Sequence, residues 1–172
     1  PTTALVSLPL HKVVRILADN RELRKKVNAL QRKPPEFFRV DIGKGVLLDG
    51  WCIKPPDFDS NKSYPLLIYV YGEPADQTVL DTWGGNTYLW HLMLAQQGYV
   101  IASIDNRGTP APRGREWRKC IYRQMGILAS ADQAAALKAI LQQRSYLDPS
   151  RIGIWGWSGG GQMTLNAMFR YP

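Results

Sequence analysis

Three short stretches constrain this chain more than anything else in it: Pro65-Leu66-Leu67-Ile68-Tyr69-Val70-Tyr71, residues 99–105, and Arg151-Ile152-Gly153-Ile154-Trp155-Gly156-Trp157. Each is apolar at nearly every position rather than at alternate ones. A strand with one face in water alternates, so near-continuous runs belong to strands covered on both faces, as in a parallel sheet flanked by helices. The segments between them carry helical spacing. Residues 88–97 read as a helix closed by Gly98, and Ser130 with Gln133 reads as a capping box. Its helix presents Ala134, Leu137, Ile140 and Leu141 on one face, and after the third run Met163, Ala167 and Met168 recur at the same period. Strands alternating with helices imply right-handed βα units and an α/β fold with a mostly parallel, doubly wound sheet.

The flanking segments are read more coarsely. Residues 37–42 and 46–55 flank Gly43-Lys44-Gly45 and form a predicted hairpin. Residues 4–17 read as extended, with Leu5, Val6 and Leu8 as sheet residues. Asp19 and Glu22 resemble a capping box for a helix with Leu23, Val27 and Leu30 on one face, ended by Pro34-Pro35. The expected organisation is a lead-in segment over residues 1–35 and a domain over 36–172. Residues 106–127, rich in Arg, Pro and Gly, yield no assignment.

Charge and cysteine content exclude several function classes. The net charge of +8 comes largely from two clusters, one running from Arg21 to Lys33 and one from Arg107 to Arg123. A basic face can serve nucleic acid. The first cluster, however, sits opposite an apolar stripe as on any solvated helix, and pI alone says little about function. Nucleic acid is therefore set aside as a partner. No apolar run reaches about 18 residues, so no membrane span is expected. Cys52 and Cys120 have neither metal-ligand spacing nor a disulfide framework, and Cys52 between Trp51 and Ile53 reads as a small buried apolar residue. His11 and His91 stand far apart, so no metal and no cofactor are expected. The start lacks an initiator Met and the layout of a signal peptide, and Phe169-Arg170-Tyr171-Pro172 arrives as a helix should be finishing. Both ends read as cut, and the expectation is a piece of a longer protein.

Gly156-Trp157-Ser158-Gly159-Gly160 fits G-x-S-x-G. The pentapeptide gains meaning from its setting, because a nucleophile elbow needs a buried strand before the serine and a helix after it, and both are predicted here. The tight bend forces the serine toward strained dihedrals, and flanking glycines relieve backbone clashes. Ser158 Oγ would then stand clear of the sheet, and the N–H of Gly159 would face a developing oxyanion at a helix N-terminus. The alternative is a glycine-rich turn that cradles phosphate, but the Lys-Ser/Thr of a P-loop and the G-x-G-x-x-G spacing are both missing.

The stretch from Ile154 to Gly160 resembles the I-W-G-W-S-Y-G-G signature of the dipeptidyl peptidase IV subfamily of the prolyl oligopeptidase family. Three further segments match that subfamily in order. Tyr69-Val70-Tyr71 through Pro74 is similar to its V-Y-x-G-P loop, Asp105-Asn106-Arg107-Gly108-Thr109 to D-N-R-G-T, and Tyr122-Arg123-Gln124-Met125-Gly126 with Ala131-Asp132-Gln133 to Y-R-x-L-G…E-D-Q. The similarity runs from about residue 12 to the end. It implies an α/β-hydrolase domain, incomplete at its C-terminal side, behind a β-propeller whose last strands would lie in residues 1–17. It also implies a serine peptidase that releases dipeptides after Pro or Ala, with a peptide as partner and a homodimer as one assembly open to the parent. A periplasmic or secreted location is implied in the same way. Tyr71 matches the tyrosine whose hydroxyl is the second oxyanion donor; from the residues alone it reads as a strand-end aromatic. Three departures stand out. Gly159 replaces the subfamily's tyrosine, removing one wall of the proline-binding pocket; Glu73 replaces a glycine of the loop; and Thr109-Pro110-Ala111-Pro112 replaces a glycine-rich run.

A serine hydroxyl needs a base, and the base an orienting acid, which in α/β-hydrolases follow the serine in chain order. No Asp, Glu or His follows Ser158, and His11 and His91 read as structural. The 172 residues alone are therefore expected to be inactive. Other readings are an esterase or acylaminoacyl-peptidase on the same fold, and a non-catalytic binding module that keeps the elbow as structure.

Overall fold

The computed structural model describes residues 2–172. The chain divides into two compact units, one ending at Arg32 and one spanning Lys33–Pro172. In the first, β1 (Thr3–Ser7) pairs antiparallel with β2 (Lys12–Ala18), followed by α1 (Arg21–Asn28). Leu5 and Val6 lie in β1, whereas Leu8 falls in the turn. The predicted capping box does not form. Asn20, in the left-handed region at φ 50°, is the residue before the helix, so Asp19 stands one position too early; its carboxylate accepts the Arg21 N–H at 3.1 Å and pairs with Arg21 Nε at 2.7 Å. The helix also ends at Asn28, ahead of Pro34-Pro35, where Ala29 and Leu30 donate to the Lys25 and Val27 carbonyls.

The second unit holds a five-stranded sheet in the order β3-β4-β6-β5-β7. Its elements are β3 (Glu36–Asp41), β4 (Leu47–Ile53), β5 (Tyr64–Tyr69), α2 (Gly85–Gln96), β6 (Val100–Asp105), α3 (Gly114–Lys119), α4 (Ile127–Gln143), β7 (Leu147–Trp155) and α5 (Gly159–Arg170). β5 runs parallel to β6 and β7, while β4 is antiparallel to both β3 and β6, so β4 alone is reversed. The β3–β4 turn is tight: Ile42 N–H donates to Val46 O, and the Asp41 carboxylate takes the Gly43 N–H at 2.7 Å.

Helices cover both faces of β5 and β6, which is why those two apolar runs do not alternate, whereas the third run lies in β7 at the sheet edge and none of residues 151–157 is buried. Leu66 and Ile68 of β5 pack with Ala136 and Ile140 of α4 on one side. Leu67 and Tyr69 turn to the other, toward Leu92 and Ala95 of α2. Fully burying a side chain such as Leu66, Ile101 or Ile104 stabilises the fold by about 2 kcal/mol. Cys52 is buried in the same layer. Among the described residues no helix is long and apolar enough to cross a membrane.

Two features of the helices differ from the sequence expectation. α4 begins at Ile127 behind Gly126 at φ 76°, so Ser130 lies inside the helix and its hydroxyl donates back to the Gly126 and Ile127 carbonyls. Gln133 then points at the sheet, where Nε2 donates to Ile104 O at 2.7 Å. The unassigned stretch contains α3, a helix of six residues, too short for its periodicity to register.

His91 of α2 is 1% exposed, with its ring within 5.6 Å of the rings of Trp51, Tyr69, Trp90 and Trp155. Burial holds its imidazole well below the ordinary 6.5, at about 4. Between those values the unfolded chain takes up a proton that the folded ring refuses, so this group withdraws stability as pH falls through the window. Relative to His91→Leu, the wild-type protein should lose roughly 2 kcal/mol of unfolding free energy between about pH 7 and 5. Urea titrations at the two pH values measure this, and parallel losses in the two proteins would refute it.

Candidate active site

The turn from β7 into α5 is governed by how closely the end of β5 approaches it. Ile154 and Trp155 lie beside Ile68 and Tyr69, and Val70 N–H donates to Trp155 O at 3.0 Å. One residue on, the Val70 carbonyl oxygen fills the space where a Cβ on Gly156 or on Gly160 would stand. Only glycine fits at either end of the turn, because the obstacle is backbone and cannot swing aside. Ser158, held between them, takes φ 56° and ψ −118°, a strained conformation for a residue with a side chain. The turn is locked by Gly160 N–H to Trp157 O at 2.8 Å and Gly161 N–H to Ser158 O at 2.9 Å. Ser158 is exposed. Gly159 opens α5, so its N–H is one of those for which a helix has no internal acceptor, at the positive end of the helix dipole.

The loop after β5 faces this turn. The Tyr71 carbon that bears the hydroxyl lies 3.4 Å from where a Gly159 Cβ would be. Ser158, Tyr71 and Gly159, singled out separately in the sequence, are thus gathered around one bend. Glu73 comes closer still, with Cγ 2.7 Å and Cβ 3.3 Å from the same point. It occupies the space that a side chain at position 159 would enter. Glu73 is 5% exposed, and both carboxyl oxygens are buried without a hydrogen-bond partner among the described residues. Desolvation pushes this carboxyl above its ordinary range.

A buried polar network holds the loop in place. Gln133 Nε2 donates to Asn106 Oδ1 at 3.0 Å, and Asn106 Nδ2 donates to the Gly72 carbonyl at 3.2 Å. Gly72 itself has φ 75°, and a Cβ there would meet Met163 of α5 at 2.9 Å and Asn106 Oδ1 at 3.0 Å. Further along, Asp105 accepts the N–H groups of Thr78 and Val79 and the Thr78 hydroxyl. Arg107 grips Asp132 with Nε at 3.0 Å and Nη2 at 2.7 Å. Sequence reasoning attached no role in the site to Asn106, Gln133 or Glu73. The signal for the first two was a polar residue directly after a buried strand and one on a helix face turned to the sheet.

His91 does not join the group. His91 is enclosed in the aromatic layer, and His11 lies in the turn between β1 and β2, in the other unit. No group of three His, Cys, Asp or Glu among the described residues could hold a metal ion. A cleft of about 780 Å³ opens beside Pro74, lined by Arg115, Arg118, Lys119 and Arg123 among others. Chemically the bend can present an exposed hydroxyl to a carbonyl group, with a backbone N–H and a phenol nearby to receive negative charge.

The sequence profile of the prolyl oligopeptidase family matches residues 86–172. The chain is 36% identical over 158 residues to human prolyl endopeptidase FAP, covering 90% of this chain and 20% of that protein. It is 32% identical over 158 residues to dipeptidyl peptidase 4 of Trichophyton equinum, covering 91% and 20%. The crystal structure of Porphyromonas gingivalis dipeptidyl peptidase 4 superposes with a TM-score of 0.87 at 42% identity, covering 98% of this chain and 23% of that one. The chain thus spans about a fifth of the length of the curated relatives it matches.

If the Val70 carbonyl dictates glycine at both ends of the bend, Gly156→Ala and Gly160→Ala should each destabilise the protein by about 1–3 kcal/mol. Gly161→Ala should cost clearly less, because the nearest atom to its Cβ position is Gly156 O at 3.4 Å. Denaturant midpoints of the three variants measure the ranking, and equal midpoints would contradict it.

Proposed function

The chain belongs to the prolyl oligopeptidase family, and from that premise we propose that it is the nucleophile-bearing part of a serine exopeptidase that releases dipeptides from peptide amino ends after Pro or Ala. The observation that carries this is the exposed Ser158 at φ 56° on the strand-to-helix bend, with Gly159 and Tyr71 beside it. In this mechanism Ser158 Oγ attacks the scissile carbonyl carbon while a base removes its proton. The carbonyl oxygen becomes an oxyanion that accepts hydrogen bonds from the Gly159 N–H and the Tyr71 hydroxyl. The intermediate collapses, the C–N bond breaks, and the leaving amine receives the proton from the base. Water then attacks the acyl-enzyme by the same route, releasing the dipeptide and restoring Ser158.

The base and the acid that orients it are supplied by residues outside these 172, so this stretch alone does not turn over. Support comes from the absence of Asp, Glu or His after Ser158 and from the enclosure of His91. In the same proposal, residues 1–35 carry the last strands of a β-propeller and a linker helix, and 36–172 the N-terminal part of the catalytic domain.

Intact-mass analysis after incubation with a fluorophosphonate tests both halves of the proposal. The 172-residue chain should gain no adduct, whereas a longer polypeptide that contains it should be labelled at Ser158. Rapid labelling of the 172 residues would refute their inactivity. Failure of the longer protein to label would favour a non-catalytic module. Faster turnover of esters than of aminoacyl-prolyl amides would favour an esterase.

A further inference from the structure

We propose that Glu73 selects the substrate, taking the positively charged side chain of a Lys or Arg residue that contributes the scissile carbonyl. This rests on the serine exopeptidase reading above and replaces its Pro or Ala by a basic residue at the scissile carbonyl. The two other buried acids among the described residues are both satisfied: Asp105 by Thr78 and Val79, and Asp132 by Arg107. Glu73 is buried as deeply as Asp105, yet neither of its oxygens has a partner. The arginines and lysine of the neighbouring cleft do not satisfy it. A buried carboxyl left unsatisfied is unfavourable to folding, and such a group is retained where a ligand completes it.

Its position says which part of a substrate can do so. Gly159 provides the N–H that would receive the carbonyl oxygen, and Glu73 stands against the Cα of that same residue, filling the space left by the missing side chain. The carboxyl is therefore within one side chain's reach of the reacting carbonyl. The free amino end of a dipeptide unit lies one residue further along. Electrostatics points the same way. An unpaired carboxylate here opposes the negative charge that develops on the carbonyl oxygen, and a cation on the substrate cancels that opposition. A neutral side chain leaves the carboxyl unsatisfied and forfeits both effects. Gly159 and Glu73 thus act as one exchange: the side chain absent at 159 leaves the space that an acidic one fills from the loop.

The test uses the full-length protein and two pairs of 4-nitroanilide substrates, Gly-Lys against its neutral near-isostere Gly-norleucine, and Gly-Arg against Gly-Pro. The wild type should favour Gly-Lys over Gly-norleucine in kcat/KM by about tenfold or more. Glu73→Gln should erase most of that ratio. Gly159→Tyr should lose activity by collision with Glu73, and Glu73→Gly combined with Gly159→Tyr should regain it with Gly-Pro preferred over Gly-Arg. A wild-type ratio near unity overturns the proposal even if no variant folds, as does a ratio unchanged in Glu73→Gln. Fluorophosphonate labelling of each protein separates the two levels. Wild type labelled at Ser158 without a lysine preference removes only the role of Glu73, whereas an unlabelled wild type removes the peptidase reading and this proposal with it.

Discussion

One backbone contact organises the site: the Val70 carbonyl, at the end of β5, pressed against Gly156 and Gly160 at the two ends of the β7–α5 bend. It follows from parallel pairing, which brings Tyr69 beside Trp155 and lets Val70 N–H reach Trp155 O. With both flanking positions limited to glycine, the chain must reverse within a few residues, and the residue in the middle absorbs the strain. That residue is Ser158, at φ 56°. The same compression that distorts the serine exposes it and aims the first N–H of α5 outward. Strain, exposure and the free N–H at the start of α5 thus share one cause.

The loop opposite the bend depends on a different physics. Gly72 is clamped between Met163 of α5 and Asn106, and Asn106 is in turn held by Gln133 of α4. Hydrogen-bonded buried amides of this kind specify one geometry in a way that apolar packing does not, although Gln133 Oε1 is left without a partner among the described residues. Tyr71 stands next to Gly72, so the network sets where the phenol lies relative to Gly159. Among the buried acids of the described residues Glu73 alone lacks a partner, and it lies where backbone strain is also concentrated. Unmet hydrogen bonds and strained dihedrals gathered at one bend are what a site shaped for a ligand retains.

Much of the fold was legible because burial on both faces leaves an unmistakable pattern. β5 and β6 were readable from apolar continuity, and the β3–β4 hairpin from Gly43-Lys44-Gly45. Caps were legible less well. Ser130 and Gln133 have the spacing of a capping box, but α4 is capped at Gly126, four residues earlier, and both side chains serve other partners. Asp19 failed for a related reason, since Asn20 in the left-handed region moved the start of α1 by one position. A cap motif records which residues can satisfy a helix end, and the path of the incoming chain decides whether they are needed there.

By itself, the sequence determined the layered α/β architecture and the place of the glycine-flanked serine bend. Apolar continuity and a glycine-flanked serine between strand and helix are local patterns, and local sterics suffice to read them. Only the tertiary structure decided what surrounds Ser158. Tyr71 and Glu73 precede Gly159 by more than eighty residues, and they meet it because β5 lies beside β7, a pairing no local pattern states. Gly159 and Glu73 looked like two unrelated departures in the chain. Folded, they fill one space, since the side chain absent from one position is what leaves room for the other.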